Sequence, residues 1–210
     1  MGTHCCEPQA NTGLNSAAYR RVLWIALLLN LAMFGVEITA GMRAGSVSLL
    51  ADSLDFLGDS ANYGISLWVL GLGLAIRARA SLLKAFSMAA FGIWILGTAL
   101  WHLYSGILPD APTMGVIGTL ALITNLAVAW LLWAYRDGDS NMRSVWLCTR
   151  NDAIGNVAVL LAALGVFGTQ TAWPDLAVGT LMAVLALSSA WQVTHRARQE
   201  LKQAASAAQT

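Results

Sequence analysis

Charge is what this sequence has least of. Asp, Glu, Lys and Arg make up 11% of its 210 residues, against 57% hydrophobic ones. A soluble domain carries roughly 25% charged and 45–50% apolar residues, so the shortage excludes an ordinary water-soluble fold and points to a polytopic membrane protein. The formal net charge is only +1, and no basic cluster is interleaved with aromatics, which removes nucleic acid as a partner. Cysteine is scarce too. Three residues, two of them adjacent at Cys5 and Cys6, are unsuited to a disulfide framework and serve better as metal ligands. Residues 1–19 lack the charged start, short apolar core and cleavage site of a secretory signal. The first span is therefore expected to stay in the mature protein and direct its own insertion. Also missing are a Gly-x-Ser-x-Gly turn and a helix-borne His-Glu pair. No catalytic residue is assigned, and an intramembrane hydrolase working through paired aspartates lacks supporting motifs.

What is present is a set of long apolar runs. Spans can be drawn at 22–42, 46–76, 82–104, 113–135, 143–167 and 174–194. Each has about 20 residues or more, enough to cross a bilayer core of roughly 30 Å. The expected fold is an all-α membrane protein with six transmembrane helices. The connections, such as Arg43-Ala44-Gly45, Arg77-Ala78-Arg79-Ala80 and Asp137-Gly138-Asp139-Ser140-Asn141, are too short to hold a folded domain. Arg20, Arg21, Arg77, Arg79, Lys84, Arg136, Arg143, Arg196, Arg198 and Lys202 fall on one side and only Arg43 on the other. The positive-inside rule then makes both termini cytoplasmic. Residues 1–19 read as a flexible cytoplasmic arm, 20–196 as the six-helix membrane domain and 197–210 as a short cytoplasmic tail.

Against this background three carboxylates stand out, Asp52, Asp55 and Asp59, all inside the second span. Each Asp near the centre of a spanning helix costs about 2.5–3.5 kcal/mol to insert, so such residues must face protein, water or a cation. At about 100° per residue Asp55 and Asp59 project within roughly 40° of each other, with Asp52 about 60° from Asp55. They form one acidic stripe. In the fifth span Cys148 and Asp152 repeat the four-residue spacing. Two helices offering two ligands each can close a four-coordinate O/S site of the kind zinc and its neighbours take. With antiparallel helices, Asp55 is expected opposite Asp152 and Asp59 opposite Cys148, near the bilayer midplane where secondary transporters place their substrates.

The remaining polar residues carry weaker readings. Asn30 and Glu37 in the first span, with Asp52, are candidate auxiliary groups around the metal; Asn125 is explained as well by interhelical hydrogen bonding. His102 reads as an interfacial anchor, and Arg150 as a side chain snorkelling to the boundary. His4, Cys5 and Cys6 form a compact set of soft ligands, either a metal-collecting arm or a coincidence of sequence. Such an arm would also suit a non-transporting metal sensor or scaffold.

With these motifs in place the chain resembles the cation diffusion facilitator family of divalent-metal exporters. The likeness is most specific in Gly45-Ser46-Val47-Ser48-Leu49-Leu50-Ala51-Asp52, similar to the family's entry to its second helix, followed by Asp55-x-x-x-Asp59 at its His/Asp-x-x-x-Asp ligand pair. Cys148-x-x-x-Asp152-Ala153-Ile154-Gly155-Asn156-Val157 resembles the family's His-x-x-x-Asp and the small residues after it, and Asn30 and Gly41 match its first helix. Cysteine replaces the usual histidine at 148, no histidine occurs between the fourth and fifth spans, and no counterpart of the family's cytoplasmic ferredoxin-like domain is seen. The resemblance therefore implies a short member, a homodimer through its membrane helices, in a bacterial inner (plasma) membrane. It implies no cofactor and a transported divalent metal, with zinc first and cadmium or cobalt next, bound by Asp55, Asp59, Cys148 and Asp152. Exchange for protons is expected, because carboxylates and a thiolate must lose protons to bind a cation.

Overall fold

A computed structural model describes residues 17–68, 74–135 and 140–207, with the side chains of 74, 77, 140–145, 147 and 207 outside the description. The described residues form six α-helices: α1 (Ala17–Ala44), α2 (Val47–Trp68), α3 (Leu74–Ser105), α4 (Ala111–Trp133), α5 (Ser140–Thr169) and α6 (Trp173–Ala207). Even the shortest, α2 with 22 residues, is about 33 Å long at 1.5 Å per residue and matches a bilayer core. His4, Cys5 and Cys6 lie outside the described residues.

Two boundaries differ from the sequence expectation. The expected second span, 46–76, is divided, since α2 ends at Trp68 and α3 begins at Leu74. Arg77-Ala78-Arg79-Ala80, expected as a connection, lies inside α3. Hydropathy marks where lipid begins, whereas Arg and Ala are both strong helix formers; the helix continues past the apolar boundary.

Five helices are long and apolar enough to cross a membrane on their own, and α2 is the one that is not. Its three carboxylates cannot face lipid, so the fold surrounds it. Most of its 22 residues are buried, against α1, α3, α5 and α6. The outer helices show the reverse of a soluble protein. α1 buries a stripe that includes Leu23, Asn30, Met33, Glu37 and Gly41 and exposes Ile25, Leu28 and Leu31, the arrangement a hydrocarbon solvent favours. α1 packs most heavily on α2, α4 on α5, and α3 on α6.

The apolar core is split by a polar layer. Toward one end Leu23, Leu27, Tyr63, Leu67, Val128 and Leu132 cluster between α1, α2 and α4. Toward the other end, Val47, Leu50, Leu54, Ile95 and Leu176 join α2 to α3 and α6, while Leu49, Met114, Val159 and Val166 join it to α4 and α5. The carboxylates lie between.

The start of α2 is held by another helix. Asp175, in the first turn of α6 and 1% exposed, accepts hydrogen bonds from Ser46 Oγ (2.7 Å), Val47 N (2.8 Å), Ser48 N (3.0 Å) and Ser48 Oγ (2.6 Å). It caps free N–H groups and places a carboxylate at the positive end of the helix dipole. Gly179 makes the approach possible, since a Cβ there would sit 2.6 Å from the backbone carbon of Val47. The turn into α2 uses Gly45 at φ +63, a conformation glycine adopts without strain.

Candidate metal centre

The antiparallel contact between α2 and α5 can be followed along both helices. Tyr63 Oη and Thr149 Oγ1 are 2.9 Å apart. One turn along, the carboxyl groups of Asp59 and Asp152 meet within hydrogen-bonding reach. One turn further Asp55 Oδ2 lies 3.9 Å from where a Cβ of Gly155 would be. Then Asn156 Nδ2 donates to Asp52 Oδ2 at 2.7 Å. Asp59 therefore faces Asp152, Asp55 faces Gly155, and Cys148 lies at the level of Tyr63. The register is displaced by one helical turn from the pairing expected from depth alone. A span edge read from hydropathy is uncertain by about a turn, and only interhelical contacts resolve it.

Two facing carboxyls need something between them. Two carboxylates offer only acceptors, and like charges in a low-dielectric interior repel strongly, so either a shared proton or a cation must join Asp59 to Asp152. Asp59 Oδ2 accepts from Tyr63 Oη at 3.1 Å, whereas buried Asp152 Oδ2 has no hydrogen-bond partner. Asn62 lies beside Asp59 and accepts a hydrogen bond from Lys84 Nζ of α3, which brings an ammonium into the same neighbourhood. Sequence reading placed Lys84 near the cytoplasmic start of the third span, and the structure has it within α3. Its approach to the α2 carboxylates had no sequence signal.

Among the described residues, no three His, Cys, Asp or Glu side chains converge on one point as a finished cage. Asp55, Asp59 and Asp152 instead line the α2–α5 seam over about two turns, so enclosing an ion requires side chains to rotate toward a common centre. Cys148 is 4% exposed, and its sulfur serves as a metal ligand in the thiolate form.

The auxiliary candidates separate from this seam. Asn30 Nδ2 donates to Ala26 O within α1 at 2.8 Å, while its Oδ1 is buried without a hydrogen-bond partner. Glu37 is 0% exposed and lies beside Asp52. Asn125 Nδ2 of α4 donates to Asn156 Oδ1 at 2.9 Å. A polar chain thus runs from α1 through α2 and α5 to α4. Asn156 and Asp175 are the structural residues that sequence reasoning passed over. An amide four residues after Asp152, one turn along the same helix face, was the available signal for the first; for Asp175 there was none beyond its place in a helix's first turn. Arg150 is exposed and stacks over Trp146, 5.4 Å from the ring centroid, away from the carboxylates.

Comparison with known proteins follows the same residues. A family model described as the cation efflux transmembrane domain matches residues 23–201. The chain is 26% identical over 197 residues to a cadmium, cobalt and zinc/H(+)-K(+) antiporter of Bacillus subtilis, covering 86% of this chain and 62% of that protein. It is 28% identical over 183 residues to the metal cation efflux system protein CzcD of Cupriavidus metallidurans (81% and 58%). To the zinc transporter ZitB of Yersinia pestis it is 26% identical over 196 residues (87% and 63%). The chain spans about three fifths of the length of these relatives.

Proposed function

The chain belongs to the cation efflux family and is a multi-pass protein of the plasma membrane, and on that premise we propose that it exports a divalent transition-metal cation from the cytoplasm in exchange for protons. Zinc is the first substrate, cadmium and cobalt the next, in line with the substrates named for its relatives. The ion is bound by Asp55, Asp59 and Asp152, with reduced Cys148 one turn from Asp152 as the fourth ligand. The observation that carries this reading is the meeting of Asp59 and Asp152 across the α2–α5 seam, inside a span that must otherwise exclude charge.

The mechanism follows from the ligands. An ion entering from the cytoplasm replaces the proton shared by Asp59 and Asp152, because a dication neutralises two carboxylates where one proton neutralises one. Rotation of Asp55 toward the pair completes the enclosure, and Lys84 opposes a second cation nearby. On the outer side protons compete for the same oxygens and release the metal. Metal affinity consequently falls as pH falls. The test is flux in sealed vesicles carrying the protein, with metal on the cytoplasmic face and pH recorded together. Saturable metal movement, faster when the outside is acid and absent in Asp59→Asn, is the expected result. Metal movement without proton counter-movement or gradient dependence would indicate a channel or simple carrier instead.

A further inference from the structure

Glu37 of α1 and Asp52 of α2 are both 0% exposed, and their carboxyl groups adjoin. Both oxygens of Glu37 and Oδ1 of Asp52 are buried without any hydrogen-bond donor. Asp52 Oδ2 is held by Asn156 Nδ2 at 2.7 Å, and Asn156 by Asn125 Nδ2 at 2.9 Å. This amide chain orients Asp52 without neutralising it, and it leaves Asn125 Oδ1 unpartnered at 1% exposure. A fully buried carboxyl with no donor is costly. What is missing between two carboxyls is a proton, since neither group supplies a donor until one is bound.

The pair differs from the metal seam in position and in partners. Asp52 lies about one turn before Asp55, the nearest proposed ligand, and seven residues, about 10 Å along the axis, before Asp59, which meets Asp152. Asp55 from α2 and Asp152 from α5 add negative charge toward it, and the groups that hydrogen-bond along it from α5 and α4 are the neutral amides of Asn156 and Asn125. Its free atoms are all oxygens with no Cys or His among them, a hard set without the soft ligands that select zinc or cadmium.

We propose that Glu37 and Asp52 form a proton-binding site separate from the metal seam, one proton shared between two carboxyls and expelled when a dication arrives at Asp55, Asp59 and Asp152. The exchanged proton is thus stored one to two turns from the metal rather than only on its ligands. This rests on the export reading for its role, but the site itself does not.

Zinc chloride is titrated calorimetrically into purified protein in buffers of different protonation enthalpy, which counts protons released per zinc bound. Glu37→Gln, isosteric and neutral, is expected to release about one proton fewer than wild type with zinc affinity within about threefold, and its vesicle flux should lose most of its pH-gradient stimulation. An unchanged proton count, or wild-type gradient dependence, overturns the proposal. Asp52→Asn gives the same readouts should the first variant misfold. If wild type binds no zinc, the export reading falls by itself. Infrared spectroscopy then decides the site: loss of a protonated-carboxyl band in Glu37→Gln supports it, and an unaltered band overturns it.

Discussion

Cys148 shows how one atom changes what a site can select. As a thiolate it is a soft ligand beside hard carboxylates and favours cadmium; an imidazole in its place favours zinc. Cys148→His is expected to move the zinc-to-cadmium preference toward zinc by about tenfold or more, measured by competition binding on protein kept under reductant. Equal selectivity in the two proteins would make Cys148 a packing residue and leave the carboxylates alone on the seam. The surrounding residues divide by how they are satisfied: Thr149 and Tyr63 hydrogen-bond each other, while Asp152 Oδ2, Glu37 and Asp52 Oδ1 are left with unmet capacity, and unmet capacity in a buried place is where a cation or proton belongs.

At the scale of the helix, α2 is the element on which everything depends and the least suited to a membrane by itself. Its N-terminus is secured from α6 by Asp175, whose four hydrogen bonds include two to backbone N–H groups. Asp175→Ala leaves those groups buried and unpaired, at a cost of about 1–3 kcal/mol, and should lower the thermal midpoint in detergent. The comparison is Asp110, which caps α4 by accepting from Thr113 N at 3.0 Å but is exposed; Asp110→Ala should be milder, near the low end of the roughly 0.5–2 kcal/mol typical of caps. Gly179→Ala tests the same joint by steric means. Its new Cβ meets backbone rather than a yielding side chain, so α6 must move away from α2, and destabilisation of about 1–3 kcal/mol is expected. If Asp175→Ala proved no worse than Asp110→Ala, α2 would have to be held by its apolar contacts alone.

For the whole molecule, six crossings would return both termini to one side, and the positive-inside rule predicts which side that is. Arg20 and Arg21 begin α1, Arg79 and Lys84 lie in the first half of α3, and Arg196, Arg198 and Lys202 end α6; Arg43 ends α1 on the opposite side. In a background with Cys5, Cys6 and Cys148 replaced by Ser, a membrane-impermeant maleimide applied to intact cells should label Ser105→Cys and spare Gln203→Cys until the cells are lysed. Labelling of Gln203→Cys in intact cells would invert the molecule and with it the direction of transport.

How much of this was legible beforehand follows from what each solvent reveals. The membrane class and the six helices were readable, and so was the oddity of carboxylates inside an apolar span, because apolar length and the cost of intramembrane charge are properties of the chain itself. The two carboxylates of Asp55-x-x-x-Asp59 fell on one helix face because 3.6 residues per turn places them there. The facing of the outer helices was not readable: lipid outside and packed side chains inside are both apolar, so hydropathy does not distinguish the two sides of α1 or α4. The helix ends at Trp68 and Leu74, and the one-turn displacement that sets Asp59 rather than Asp55 against Asp152, were decided by packing between helices. So were the joining of Glu37 to Asp52 and of Asp175 to Ser46 and Ser48, residues far apart along the chain. Burial makes such polar groups seek partners, but only the assembled bundle determines which partners come within reach.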